Sequence, residues 1–159
     1  MSAPHVMVAG AGPVGVVTAL AAAQAGFAVT LFEDATEVND APRAATFHPS
    51  TLELVERLGV MDEFLSVGLV ARYFEFWDKP SQTRVAQMDH ALLADETAFP
   101  FVVQTEQHKL VHILLDRLAR HPHVDLRLGH RVTAFSQDAT VVTVRTTDGA
   151  GGQETVRGD

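Results

Sequence analysis

Cysteine is absent from all 159 residues, which excludes a disulfide framework and any thiolate metal site. Without disulfides, a cytoplasmic location fits at least as well as a secreted one, and we expect a cytoplasmic protein. Redox chemistry in such a chain requires a bound cofactor. Long apolar runs are also lacking, because the longest, residues 14–23, is interrupted by Thr18 and has no basic flank. It predicts a buried helix rather than a signal peptide or a membrane span.

Basic residues are scarce. Lys and Arg number 12 against 20 Asp and Glu, which gives a formal net charge of -8. Nucleic acids and anionic membranes attract clustered Lys and Arg, so we expect neither as a partner. The apolar content of 47% is enough for one hydrophobic core and argues against disorder.

The first third of the chain has a strand-helix-strand pattern. Residues 5–9 form a short apolar run that suits a strand buried on both faces, and residues 27–32 form a second one. Between them, residues 13–25 predict a helix that begins near Pro13 and ends at Gly26. Such crossovers connect parallel strands with a right-handed turn. The sequence therefore predicts an α/β fold with a parallel sheet, of the Rossmann-like type.

The rest of the chain continues to alternate between helices and strands. Leucine and valine spacing predicts helices over 49–58 and 106–120. An aromatic-rich strand at 72–78 and another at 84–88 predict a hairpin outside the main sheet. Further strands are expected at 124–128, 131–135, 141–147 and 154–157, the last two being joined by a glycine-rich turn at 148–152.

A glycine-rich turn joins the first predicted strand to the first predicted helix. It reads Gly10-Ala11-Gly12-Pro13-Val14-Gly15, the pattern G-x-G-x-x-G in the context where it binds a dinucleotide. The first glycine permits the tight turn, the second lets a pyrophosphate approach the backbone, and the third lets helix and strand pack closely. The N–H groups at the helix start then face the phosphates.

An acidic residue stands where the ribose of a dinucleotide is bound. Glu33 ends the second predicted strand, about 20 residues after the glycine turn, and a carboxylate there accepts hydrogen bonds from the ribose hydroxyls. Asp34 is the alternative, although strand alternation directs it to the opposite side. The turn and the carboxylate are common to sites for FAD and for NAD, so they do not distinguish the two.

A longer segment resembles one particular flavoprotein family. The run from Pro42 to Leu54, with Leu58-Gly59-Val60 after it, resembles the segment after the second strand in single-component aromatic hydroxylases of the para-hydroxybenzoate hydroxylase type. The resemblance covers nearly the whole chain. It implies an FAD-dependent monooxygenase that uses NADPH or NADH and O2 to hydroxylate a small aromatic substrate, with a homodimer as a candidate assembly.

The same resemblance implies further cofactor contacts. Arg43 would contact the phosphate or ribose region of FAD, where a guanidinium offers a planar donor fork. The segment Gln104-Thr105-Glu106-Gln107 resembles the position where a polar residue touches the ribityl or phosphate part. Alignment on the following leucines favours Gln107 over Gln104.

The resemblance also bears on domain organisation. In the family, a strand like the one around Val156 leads into an Asp-Gly segment that contacts the flavin, and that segment is not found here. We therefore expect residues 1–159 to form an incomplete N-terminal part of the FAD-binding domain, with residues 70–100 as a candidate start of the substrate-domain sheet. No catalytic acid or base is assigned. The alternatives are a non-catalytic FAD- or nucleotide-binding module or truncated product, and an NAD-dependent dehydrogenase.

Three other patterns are considered and set aside. His108 and His112 are four residues apart on a predicted helix but lack the glutamate of a zinc hydrolase motif, so no metal site is expected. Ser50 has no nucleophile elbow around it, which argues against a hydrolase. The aromatic residues between 73 and 77 are interpreted as ordinary core rather than as a substrate pocket.

Overall fold

The computed structural model describes residues 4–41 and 43–158, so Pro42, where the family-like segment begins, lies outside the described residues. The elements in chain order are β1 (His5–Ala9), α1 (Pro13–Gln24), β2 (Ala28–Glu33), β3 (Thr46–Phe47), α2 (Pro49–Arg57), α3 (Met61–Ser66), β4 (Leu69–Ala71), β5 (Tyr73–Asp78), β6 (Thr83–Asp89), a 3-10 turn (His90–Leu93), β7 (Val102–Gln104), α4 (Gln107–Leu118), β8 (Val124–Leu128), β9 (His130–Gln137), β10 (Val142–Asp148) and β11 (Gln153–Gly158). They divide into two compact units, Met1–Ala41 with Leu110–Asp159 and Pro42–Lys109.

The first unit contains a parallel sheet of order β1-β2-β8. β1 runs beside β2 with His5 opposite Ala28, and β2 runs beside β8 with Val29 opposite Val124. The central strand β2 is buried over Val29–Phe32, as an apolar strand with neighbours on both sides should be. The predicted strand-helix-strand unit and the α/β fold class are thus confirmed.

An antiparallel sheet of order β11-β10-β9 completes this unit. The turn between β10 and β11 closes with a backbone hydrogen bond of 2.9 Å from the Asp148 N–H to the Gly152 carbonyl. All three strands were predicted, with bounds that differ by one or two residues. The glycine-rich sequence made this hairpin recognisable, because glycine permits the tight turn.

The second unit has a small antiparallel sheet of order β3-β7-β4 beside α2 and α3. Its buried residues include Phe47 and Phe64, whose rings meet edge to face with centroids 4.8 Å apart. The sequence predicted α2 but none of the three strands and not α3. Strands of two or three residues and a helix of six residues are too short to show a period.

The hairpin of β5 and β6 forms a separate two-stranded sheet, as predicted. The interpretation of its aromatic residues as core is wrong, because Tyr73, Phe74, Phe76 and Trp77 are 45% to 57% exposed. In the described part of the chain no third strand pairs with this hairpin, so a two-stranded ribbon leaves its side chains uncovered. Phe74 and Phe76 contact each other, with ring centroids 5.0 Å apart.

Within residues 4–41 and 43–158, no helix has both the length and the apolar character needed to cross a membrane.

Candidate cofactor site

The glycine turn lies between β1 and α1 and depends on two of its glycines for its shape. Gly10 has a φ of +102°, a conformation that favours glycine, and its N–H donates to the Phe32 carbonyl at 2.7 Å. A Cβ placed on Gly15 would lie 1.8 Å from the Gly10 carbonyl oxygen. The absence of that atom lets the first turn of α1 pack directly against the end of β1.

Gly12 has a different surrounding. It is the N-cap of α1, with no side-chain cap hydrogen bond, and a Cβ placed on it would meet no atom within 4 Å. Pro13 follows at the first helical position, and Val14 is 79% exposed. The first N–H groups of a helix have no partner inside the helix. The space in front of Gly12 and these N–H groups is therefore open to a ligand.

The Glu33 carboxylate lies against this turn. One of its oxygens accepts a hydrogen bond from the Ala11 N–H at 2.6 Å, and the other accepts one from the Ala35 N–H at 3.0 Å. Ala11 itself is buried, so its side chain faces inward while its N–H faces Glu33. The structure thus brings together the two parts of the predicted site, the glycine turn and the acidic residue at the end of β2.

Asp34, the alternative to Glu33, is engaged elsewhere. Its two carboxylate oxygens accept hydrogen bonds from Nε and a terminal nitrogen of Arg131, at 3.0 and 2.6 Å. This guanidinium holds the pKa of Asp34 below its ordinary value, chiefly through the hydrogen bond. The pairing agrees with the strand alternation that separates Asp34 from Glu33.

The predicted contacts further along the cofactor lie in the second unit. The Gln107 N–H donates to the Ala44 carbonyl at 3.0 Å, and the Thr105 N–H donates to the Ala45 carbonyl at 2.9 Å. The start of α4 is thereby fixed beside the segment that follows Arg43, which is exposed. Arg43 and Gln107 lie near opposite ends of the second unit in sequence. Their backbone segments nevertheless adjoin each other.

Gln104 is held differently from Gln107. It ends β7, between Thr46 and Leu69 on the neighbouring strands, and its side-chain oxygen accepts a hydrogen bond from the Thr46 hydroxyl at 2.9 Å. That bond uses the amide oxygen of Gln104 within the sheet. The preference for Gln107 over Gln104 as a cofactor contact stays a prediction.

Sequence reasoning missed two residues near Glu33. Arg131 pairs with Asp34, and Gly129 donates its N–H to the Ala35 carbonyl at 2.9 Å. Gly129 also has a φ of +74°, so the turn between β8 and β9 favours glycine there. The glycine could have been noted as a turn, whereas the Arg131 pairing depends on how β9 lies relative to β2 and leaves no local signal in the sequence.

One histidine of the pair on α4 contacts a carboxylate. His112 Nε2 lies 2.8 Å from an Asp40 carboxylate oxygen, in an exposed pair. Among the residues that the structure describes, no group of three or more histidine and carboxylate side chains is arranged to hold a metal ion.

Comparison with known proteins assigns the family. The family model described as "FAD binding domain" matches residues 4–159. Para-nitrophenol 4-monooxygenase of Pseudomonas sp. (strain WBC-3) is 30% identical over 92% of this chain and 36% of its own length. The 6-hydroxy-3-succinoylpyridine 3-monooxygenase HspB of Pseudomonas putida (strain DSM 28022 / S16) is 34% identical over 77% of this chain and 31% of its own length.

Solved structures agree with the sequence relatives. The p-nitrophenol 4-monooxygenase PnpA of Pseudomonas putida DLL-E4 superposes with a TM-score of 0.90 at 29% identity, over 98% of this chain and 39% of that one. The flavin-dependent monooxygenase PieE, solved with FAD and substrate, superposes with a TM-score of 0.84 at 25% identity, over the whole of this chain and 29% of its own. The chain thus spans about a third of the length of these relatives. With the family model matched from residue 4 to residue 159, this chain belongs to the FAD-binding-domain family of flavin-dependent monooxygenases.

Proposed function

We propose that the chain binds the adenosine diphosphate end of FAD through the glycine turn, Gly10 to Gly15, and the Glu33 carboxylate. The observation that carries this proposal is the hydrogen bond of 2.6 Å from Ala11 N–H to Glu33, which places the carboxylate beside the turn. One carboxylate oxygen accepts more than one hydrogen bond, so Glu33 keeps acceptor capacity for a ribose diol.

The residues of the turn fit the cofactor. A pyrophosphate needs backbone without side chains and N–H donors that point outward. The open space in front of Gly12 and the uncapped start of α1 supply both. The third glycine of the motif, Gly15, is required by packing alone, because its missing Cβ would overlap the Gly10 carbonyl.

Arg43 and Gln107 are proposed to contact FAD beyond the adenosine. The guanidinium suits a phosphate or ribose oxygen, and the Gln107 amide suits a phosphate or ribityl oxygen. The backbone hydrogen bond from Gln107 to Ala44 supports a shared role for the two segments. Gln104 is proposed as a structural residue of the sheet, since its amide already bonds Thr46.

For a protein of the relatives' length, we propose an FAD-dependent monooxygenase that acts on a small aromatic substrate with NADPH or NADH and O2. By their names, three relatives act on para-nitrophenol, 6-hydroxy-3-succinoylpyridine and 3-(3-hydroxyphenyl)propionate. Bound flavin supplies the redox chemistry, while the protein supplies binding and orientation. The hairpin of β5 and β6 is proposed as the beginning of the substrate-domain sheet, and a cytoplasmic location and a homodimer remain expectations.

The test of this proposal is FAD binding by the purified chain. The absorbance spectrum is recorded first, and FAD is then titrated with flavin fluorescence as the signal. Glu33→Gln removes the charged acceptor, and charge-assisted hydrogen bonds contribute about 1.5–3 kcal/mol, so we expect about a tenfold to hundredfold weaker FAD binding. Glu37→Gln is the matched control, because it removes one negative charge from an exposed residue in the loop after β2. Folded wild-type chain that binds no FAD would contradict the proposal.

A second candidate is a binding module without turnover, since the chain spans 36% and 31% of two relatives and no catalytic acid or base is assigned. The FAD-loaded chain is mixed with NADPH or NADH, and loss of the nicotinamide absorbance is followed. Oxidation above the rate of free FAD favours the enzyme, and binding of FAD without such oxidation favours the module.

A further inference from the structure

The short segment from Glu33 to Thr36 is held from two sides. On the side of the glycine turn, Glu33 accepts from Ala11, and it also accepts from Ala35 within the segment. On the side of the turn between β8 and β9, Gly129 donates to the Ala35 carbonyl, and a Cβ on Gly129 would lie 3.3 Å from the Thr36 methyl group. The position of the Glu33 carboxylate therefore depends on how these two turns hold the segment between them.

The Asp34–Arg131 pair acts on the same junction. Asp34 lies next to Glu33 in the chain, and Arg131 lies two residues after Gly129, at the start of β9. Two parallel N–H···O bonds join them, with the shorter at 2.6 Å. Bidentate pairs of this kind fix orientation as well as distance. The pair thus joins the residue after Glu33 to the strand that follows the Gly129 turn.

Both side chains are largely exposed, at 66% for Arg131 and 55% for Asp34. Exposed pairs contribute little to the free energy of unfolding. An isolated pair of this kind would therefore be of small consequence for the fold. The pair matters here for the position of Glu33, because Glu33 lies next to Asp34 and carries the carboxylate that faces the glycine turn.

We infer that Asp34 and Arg131 form a positioning pair for the FAD site, holding the Glu33 segment without contacting the ribose themselves. This inference rests on the proposed function of Glu33. Arg131 also balances the charge of Asp34. The hydrogen bond from Arg131 lowers the pKa of Asp34, so its carboxylate stays ionised to a lower pH than that of an unpaired aspartate.

The test uses Asp34→Asn, Arg131→Gln and the double variant. Each single variant is expected to weaken FAD binding about 1.5-fold to fivefold, which is the range for the loss of one exposed pair. If the residues act as a pair, the double variant is no weaker than the single ones. Asp89→Asn is the matched control, since it removes the equally bidentate Arg72–Asp89 pair from the other unit.

A second measurement separates positioning from general stability. Amide hydrogen exchange at Ala35 and Gly129 is expected to accelerate in both single variants, while the unfolding midpoint stays near that of the wild type. Unchanged FAD affinity in Asp34→Asn and Arg131→Gln, or unchanged exchange at Ala35, would overturn the inference. Wild-type chain that binds no FAD would overturn the proposed function instead, and the exchange rates would still decide whether the pair positions the Glu33 segment.

Discussion

The Glu33 carboxylate and the Ala11 N–H are 2.6 Å apart, although 22 positions separate the two residues in sequence. This contact joins the end of β2 to the glycine turn at the end of β1. In a parallel sheet, the carboxyl ends of adjacent strands meet at one edge, and ligands of open α/β sheets bind outside that edge. The site is therefore a direct result of the parallel pairing of β1 with β2.

The glycines of the turn allow folding and binding to be tested separately. Gly15→Ala is expected to destabilise the chain by about 3 kcal/mol, the upper end of the usual cost of overpacking, because the new Cβ would lie 1.8 Å from the Gly10 carbonyl oxygen. Gly12→Ala is expected to leave the unfolding midpoint nearly unchanged, since its φ of -67° is ordinary and no atom lies within 4 Å of the added Cβ. Chemical denaturation measures both variants.

Gly12→Ala is nevertheless expected to weaken FAD binding by at least about tenfold, because the methyl group would occupy the space through which a pyrophosphate approaches the backbone. Gly149→Ala serves as the control, because an added Cβ on Gly149, in the turn between β10 and β11, also meets no atom within 4 Å and its φ is not positive. Undiminished FAD affinity in Gly12→Ala would place the pyrophosphate away from this turn.

Gln104 and Gln107 allow a second test that distinguishes FAD binding from folding stability. Gln107→Ala is expected to weaken FAD binding about threefold to tenfold through loss of one hydrogen bond, with little change in the free energy of unfolding. Gln104→Ala should show the reverse, because its amide bonds Thr46 across the sheet of the second unit. FAD titration measures the affinity of the two variants, and chemical denaturation measures their free energy of unfolding. A loss of affinity in Gln104→Ala alone would contradict the assignment.

Much of this site could be predicted from the sequence because its signals are local. The turn Gly10 to Gly15, the strands on either side and Glu33 all lie within one strand-helix-strand unit, where apolar period and glycine spacing are readable. The Arg131 pairing and the short strands β3, β4 and β7 could not be predicted, since they depend on the register of distant segments. The exposure of Phe74 and Trp77 was missed for a related reason, because strand propensity does not reveal whether a hairpin is covered.

The Arg72–Asp89 pair predicts a measurable titration. Arg72 donates two hydrogen bonds to Asp89 and lowers the pKa of that carboxyl to about 2. A pKa depressed in the folded state gives a stabilising contribution that is present above the ordinary value and is lost as the pH falls toward about 2. Arg72→Met is expected to return the Asp89 pKa toward 3.8. Carboxyl ¹³C NMR follows this shift, and Arg84→Met, which removes the partner of Glu75 in the same hairpin, should leave Asp89 unchanged.

The apolar face of the hairpin predicts self-association of the chain on its own. Phe74 and Phe76 share one face of β5, Met88 lies opposite Phe74 on β6, and all three are about half exposed. A two-stranded sheet with such a face, and with free edges, is a surface that pairs with other chains. We expect concentration-dependent association in analytical ultracentrifugation, and Phe76→Ser should shift the chain toward monomer. Leu92→Ser is the control, since Leu92 is 84% exposed but lies in the 3-10 turn rather than on the hairpin. A wild-type chain that stays monomeric at high concentration would show that this face does not drive association.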